Sequence, residues 1–429
     1  MIKPGSVQAF FMAQQHNIQQ TVDHLFRNEH GKVVALLANK YGASHFEAIE
    51  DVVQDTFIKA MQVWGYQEVP DNPTAWLYRV ANNAMIDGLR RAKKFDLVTE
   101  SKNSEAVTQT SDIATDSELT DSQLKLIFAC CDPSLSEEYQ LVLSLKIMGG
   151  FSNRELAEAL LKKEETVAKS YTRAKKKFRE QVRLPKFPVE LGLQSRLFVV
   201  LRVIYLLFSE GYAVTSGTLA IKRDICYEAL RLALLLRKNT YCQHEQLDAL
   251  IALMCFHAAR FDARIDPAGS LVTLAEHDRS LYNTELIEIG TFHLEKAGAG
   301  KGLTSRYHLE AAVSYYHSTA ETYAETDWGR ILQLYDLHLQ RNFSPIVALN
   351  RIVAYQRVHG AAKALKVLDE VASKNDYSKT ALYFAIQGEL LLELGQKTFA
   401  VSIEKAIALS ENELVKKHLA KKLHPKEPE

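Results

Sequence analysis

Three features of this 429-residue sequence predict an all-α protein. Apolar residues recur at helical spacing along almost every long stretch. Alternating Val/Ile/Thr-rich runs bounded by turn residues, the mark of strands, do not occur. With 47% hydrophobic and 24% charged residues, the composition is that of a globular chain with large cores, which argues against disorder or a fibrous repeat.

The first stripe, Val52, Val53, Phe57, Ala60, Met61 and Trp64, makes Glu47 to Trp64 an amphipathic helix. Its polar face carries Asp51, Gln54 and Asp55 at i, i+3, i+4 spacing. That face reads either as a solvated acidic surface or as a docking surface for a basic or polar helix. Residues 65–72 form a loop containing Tyr66. Pro73 then opens a second helix at its first turn, where a missing N–H costs nothing. Trp76, Leu77, Val80, Ala84 and Leu89 give its apolar stripe, and it ends on Arg90, Arg91, Lys93 and Lys94. A cationic helix end beside a Tyr-bearing loop suits phosphate contacts and capture of an unstacked base; it equally suits plain complementation of the helix dipole. These elements make a first domain over 1–95.

Residues 96–121 are Ser/Thr- and acid-rich with a single lysine, and are expected to form an extended acidic linker. The domain that follows, 122–186, carries the clearest local motif. Ser152 and Glu155 form a capping box at a helix start, Leu161 to Glu164 is a short connection, and a helix runs from about Glu165 to Arg179. This is a helix-turn-helix pattern, whose second helix enters a major groove. Lys and Arg far outnumber Glu here, and Thr166, Lys169, Ser170 and Arg173 at i, i+3, i+4, i+7 are expected to form one exposed face for phosphates and base edges. Pro185 and Pro188 end the segment. A helical extension over 187–290 leads to helix-turn-helix repeats of tetratricopeptide (TPR)-like plan over 291–429. These repeats break at Gly360 and Gly395, with Ala400, Ala406 and Ala408 as small contact residues. Asp327, Trp328, Arg330, Asn350 and Arg351 lie near predicted helix ends, as caps and ties between repeats or as parts of a peptide or ligand groove.

Charge and motif content narrow the function classes. The 52 basic and 52 acidic side chains cancel, so any charged binding surface is a local patch. The N-terminal stretch is too broken to read as a signal peptide, and the longest apolar run, Leu197 to Phe208, holds Arg202. A cytoplasmic protein is expected. The five cysteines, Cys130, Cys131, Cys226, Cys242 and Cys255, have no metal-ligand spacing and read as reduced core thiols. No HExxH, GxSxG or GxxxxGK[ST] occurs, so neither an enzyme nor a cofactor is expected. The adjacent His244–Glu245 and His277–Asp278 need only surface or capping roles.

The order of these parts closely resembles the extracytoplasmic-function group of sigma-70-type RNA polymerase sigma factors. The resemblance rests on Asp51 to Ala60, on Ala75 to Asn83 with Asp87, Arg90 and Arg91, and on Thr166–Val167 with Arg173 to Lys177. Beyond residue 189 it extends to the subgroup with a long C-terminal TPR-like extension, through Leu206 to Tyr212, Asp278 to Ser280, Thr326 to Trp328 and Ser344 to Arg351. The resemblance implies a protein that binds core RNA polymerase and promoter DNA, with no membrane partner. Asp51, Gln54 and Asp55 would dock on the beta-prime clamp helices, with a further contact to the beta flap. Loop 65–72 with Arg79, Asn82, Asn83, Arg90 and Arg91 would face a melted minus-10 element, and Thr166, Lys169, Ser170 and Arg173 would read the minus-35 element. The extension would receive a regulatory protein or ligand. A stand-alone helix-turn-helix regulator with a TPR-like sensor is the competing reading, though it leaves the Asp51/Gln54/Asp55 face unused.

Overall fold

The computed structural model describes residues 29–64, 69–96, 116–160, 162–182, 184, 193–212, 223–266, 270–300 and 304–423. Apart from isolated β-bridge residues, such as the pair Ile265 and Leu271, the regular elements among them are helical. The chain forms two compact units, one of Met1–Leu207 with Lys238–Cys242 and the other of Phe208–Arg237 with Gln243–Glu429.

In the first unit, α1 covers 29–41 and α2 spans Phe46–Trp64, burying Phe46, Ile49, Val53, Phe57, Ala60 and Trp64. Trp64 packs on Trp76 at 5.1 Å between ring centroids. Trp76 belongs to α3, Pro73–Asp96, whose start is capped by Asn72 Oδ1 accepting from Ala75 N at 2.9 Å. Helix α4, Asp116–Cys130, starts inside the expected linker. The end of that segment is therefore helical, not extended. Glu118 sits favourably at the positive helix start, Asp121 pairs with Lys125 at 2.5 Å, and Leu124, Leu126 and Ile127 supply the buried face. The rest of the linker, 97–115, lies outside the described residues.

Helices α5 (Glu137–Gly149), α6 (Asn153–Ala159) and α7 (Glu164–Gln181) complete the second expected domain, and they pack into the same unit as α1–α3. Contact is close where α1 meets α5: a Cβ on Gly31 would stand 3.1 Å from the Ile147 carbonyl oxygen, so glycine is what the approach allows. Beside it, His30 Nδ1 donates to that same oxygen at 3.2 Å. Helix α8, Leu193–Tyr212, lies close enough to α5 that a Cβ on Gly149 would meet Leu207.

The second unit contains α9 (Arg223–Lys238, less its last residue), α10 (Glu245–Ala258), α11 (Thr284–Gly298), α12 (Arg306–Thr319), α13 (Trp328–Arg341), α14 (Pro345–His359), α15 (Ala361–Lys374), α16 (Ala381–Glu393), α17 (Phe399–Leu409) and α18 (Glu413–Lys421). Nearly all of α10 is buried, including Asp248, which accepts from Arg237 at 2.8 Å and His293 at 2.7 Å. Gly360 (φ 84) and Gly395 (φ 68) separate the α14/α15 and α16/α17 pairs. The small-residue contacts fall elsewhere than expected. Ala406 is buried, but Ala408 is exposed and Ala400 half-buried. Close approach of α16 to α17 instead depends on Gly388, where a Cβ would collide with Ile403. His244 and Asp278 are helix caps, accepting from Gln246 N and Ser280 N.

All five cysteines are free and buried, and burial pushes the Cys131 and Cys255 thiols up to about 12 and Cys242 to about 11. Among the described residues no helix is long and apolar enough to cross a membrane, and no cluster of three potential metal ligands occurs.

Burial holds His30 down to about 4 and His317 down to about 3, so both are neutral in the folded chain well below the ordinary 6.5. Unfolding releases them to take up protons first, so stability present above pH 6.5 drains as pH falls toward 4. Thermal melts across that window are expected to show a falling midpoint, with His30→Gln flattening the slope.

Candidate nucleic-acid and partner interface

On α2 the residues left outside the core form one continuous polar edge. Asp51, Gln54 and Asp55 are all exposed. Among them, at i+7 from Asp51, stands Ile58, a large aliphatic side chain 49% exposed. An apolar side chain among polar groups can serve a protein contact, though single exposed apolar side chains also occur on ordinary surfaces. Sequence reading missed it, although its spacing from Asp51 puts it on that face.

Helix α3 exposes Arg79, Asn83, Arg90 and Arg91. On an ideal helix Arg79, Asn83 and Arg90 fall within about 40° of one another. Asn82 is turned partly inward, where its Oδ1 accepts from Lys40 Nζ at 2.9 Å and Tyr41 OH at 2.8 Å. It ties α3 to the end of α1 while the other polar residues remain available. The described part of the loop, 69–72, is solvent-facing; Tyr66, Lys93 and Lys94 lie outside what is described at side-chain level.

The α6–α7 pair has the expected helix-turn-helix form. Glu155 N donates to Ser152 Oγ at 3.2 Å and Ser152 N donates to Glu155 Oε2 at 2.9 Å, the reciprocal capping box. Lys163 caps α7 without a side-chain bond, and Glu164 and Glu165 complement its dipole instead. Thr166, Lys169 and Arg173 are exposed on α7, joined by Lys176 and Lys177.

Ser170 corrects the expected face. It is buried, and its hydroxyl donates to Glu138 Oε1 of α5 at 2.7 Å. Lys162 Nζ lies 2.9 Å from the other oxygen of that carboxylate, and these two partners hold Glu138 below the usual carboxylate range. Ser170 belongs to the inward stripe Val167, Ser170, Tyr171, Ala174, Phe178, itself helically spaced and readable from the sequence.

That inward stripe reaches α2. Tyr171 OH donates to Glu50 Oε1, and Lys175 Nζ stands 3.0 Å from Oε2, an ion-pair contact without hydrogen-bond alignment. Glu50 is 4% exposed. Next to it the Phe46 and Phe178 rings meet edge-on at 5.0 Å, and Arg179 Nη1 donates to Glu47 Oε2 at 2.9 Å. The helix expected to read DNA is thus fastened by its other side to the helix expected to dock on a partner.

Residues 25–95 match the family described as Sigma-70 region 2, and residues 127–178 match Sigma-70, region 4. Residues 196–298 match a family of unknown function (DUF6596). The chain is 31% identical over 373 residues to "Uncharacterized protein R00370" of Rhizobium meliloti (strain 1021), covering 86% of this chain and 87% of that protein. It is 27% identical over 142 residues to "RNA polymerase sigma factor YlaC" of Bacillus subtilis (strain 168), covering 33% of this chain and 80% of that one. No solved structure matches.

Ser170→Ala is expected to lower stability by about 1 kcal/mol through its lost bond to Glu138, and to leave affinity for duplex DNA unchanged. Thermal melts paired with fluorescence anisotropy on a DNA duplex separate the two. A selective loss of affinity would return Ser170 to the reading face.

Proposed function

We propose that this chain, which belongs to the extracytoplasmic-function type of the sigma-70 family in the form with a long C-terminal extension, directs core RNA polymerase to promoters by reading minus-35 and minus-10 elements. The observation that carries the reading is the combination, in one unit, of an exposed docking edge on α2 with two exposed cationic faces on α3 and α7. The α2 edge of Asp51, Gln54, Asp55 and Ile58 suits the clamp helices of the polymerase, polar around an apolar centre. Thr166, Lys169 and Arg173 suit the major groove of duplex minus-35 DNA, with Lys176 and Lys177 on the flanking phosphates. Arg79, Asn83, Arg90 and Arg91 suit the opened minus-10 strand, whose phosphates and unstacked bases need cations and hydrogen-bonding groups.

The two elements, by their names, lie about 25 base pairs apart, roughly 85 Å of duplex at about 3.4 Å per step. The described part of that unit, about 150 residues, is only roughly 40 Å across when packed. The α2–α7 fastening therefore has to release for both elements to be read at once, and the packed arrangement is the resting state. Fusion of the extension to the same chain supports a regulatory role for it.

Run-off transcription with core polymerase of the source organism is the direct test: specific transcripts are expected only when the full chain is added, and their absence with folded protein overturns the reading. Asp51→Arg with Asp55→Arg should abolish polymerase binding while stability stays within about 1 kcal/mol, because both side chains are exposed. Arg173→Ala should weaken minus-35 duplex binding by about 1–3 kcal/mol. Glu50→Gln with Tyr171→Phe, which loosens the fastening, should raise transcript yield at limiting polymerase.

A further inference from the structure

Three sequence stretches that promoter reading does not use converge on one place in the second unit. A cavity of about 360 Å³ opens there, within the size range of small-molecule sites. Arg279, from Asp278–Arg279–Ser280, donates through Nη1 to the carbonyl oxygens of His317 at 2.9 Å and Ala320 at 2.5 Å. It thereby closes the end of α12 and fixes His317 in the cavity wall. Asp327 Oδ1 accepts from Arg330 N at 2.9 Å, capping α13 so that Trp328, its first residue, lines the cavity. Ser344 caps α14, and Asn350 on that helix adds an amide to the lining.

The lining has a definite chemistry. Trp328 meets His317 and Tyr323 edge-on, each at 5.2 Å between centroids, and Tyr335 adds another ring. His317 stays uncharged through burial and the nearby Arg260 and Arg279, and its Nδ1 is buried with no hydrogen-bond partner. Of the charged residues lining the cavity, Lys422 pairs with Glu389. Arg357 lies 5.1 Å from the Tyr323 ring centroid and has no carboxylate partner among the described residues. The cavity is thus walled by rings, with one Lys422–Glu389 ion pair and one further cation, Arg357, that has no carboxylate partner among the described residues.

We propose that this cavity binds a small planar monoanion, an aromatic or heteroaromatic carboxylate, with its ring against Trp328 and Tyr323 and its carboxylate on the Arg357 guanidinium. A guanidinium fork matches a carboxylate in two parallel hydrogen bonds, and ring edges and faces reward a planar guest over a puckered one. The site deepens the regulatory role proposed for the extension, yet its test needs no polymerase and so fails or succeeds separately from promoter reading.

The probe is naphthoate, titrated by calorimetry into the full chain, with naphthamide, cyclohexanecarboxylate and naphthyl phosphate as controls. Naphthoate is expected to bind with a submillimolar Kd, and each control at least about tenfold more weakly. Arg357→Gln should weaken naphthoate about tenfold, about 1.4 kcal/mol, without touching naphthamide. Glu389→Gln should tighten naphthoate. Arg357 is exposed and the Glu389 side chain is 42% exposed, so circular dichroism of both variants should match the parent. No heat with naphthoate, equal binding of acid and amide, or naphthoate affinity unmoved by both substitutions would each overturn the proposal.

Discussion

Glu50 is a charge placed where water does not reach, between α2 and α7. A lone buried carboxylate is costly, and only partners with good geometry offset it. The Tyr171 hydroxyl and the Lys175 ammonium are those partners, so the register of α7 against α2 is set by where they can meet Glu50. Tyr171 is itself flanked by the Lys175 and Lys146 ammoniums, 5.0 and 5.5 Å from its ring centroid. Burial, then the neighbouring Glu50, drive its phenol well above the ordinary range, so it remains a donor. A polar junction of this kind specifies an arrangement more than it strengthens one. Separated, Glu50 and Lys175 regain water, which refunds much of what the contact gave. That balance suits the release that the promoter reading proposed above calls for.

The consequence for α7 is a division by face. Val167, Ser170, Tyr171, Ala174 and Phe178 answer to the protein, and Thr166, Lys169, Arg173, Lys176 and Lys177 answer to solvent. A single turn of helix therefore carries both a solvent-facing cation and a group that positions the domain. Helix α2 is divided in the same way. Its polar edge begins at Glu47, already occupied by Arg179, and continues through Asp51, Asp55 and Ile58, which are open.

What could be read from the sequence was what is local. Helical stripes, the Ser152–Glu155 box, the Pro73 start and the glycine breaks at Gly360 and Gly395 are all properties of a few neighbouring residues, and the fold class follows from them. Exposure of Asp51, Gln54, Asp55, Arg79 and Arg173 follows from the same periodicity. Ser170 went astray because its i+4 relation to Thr166 coincides with its place in the buried stripe, and a hydroxyl suits either side. The Glu50–Tyr171 contact joins residues 121 positions apart, and no local period encodes it. The cavity draws its walls from Thr273 to Lys422, and Gly388 outdid the alanines because a side-chain collision with Ile403 depends on how two helices cross.

The five cysteines bear on what kind of signal this chain can receive. Oxidants attack thiolates, and a thiol kept protonated and out of solvent is a poor target. Cys131 and Cys255, with thiols near 12, Cys242, near 11, and Cys130, pushed well up by burial, offer no such anion while the chain stays folded. Peroxide or disulfide stress would find no thiolate at these positions. A redox signal through these thiols would first need the surrounding helices to open.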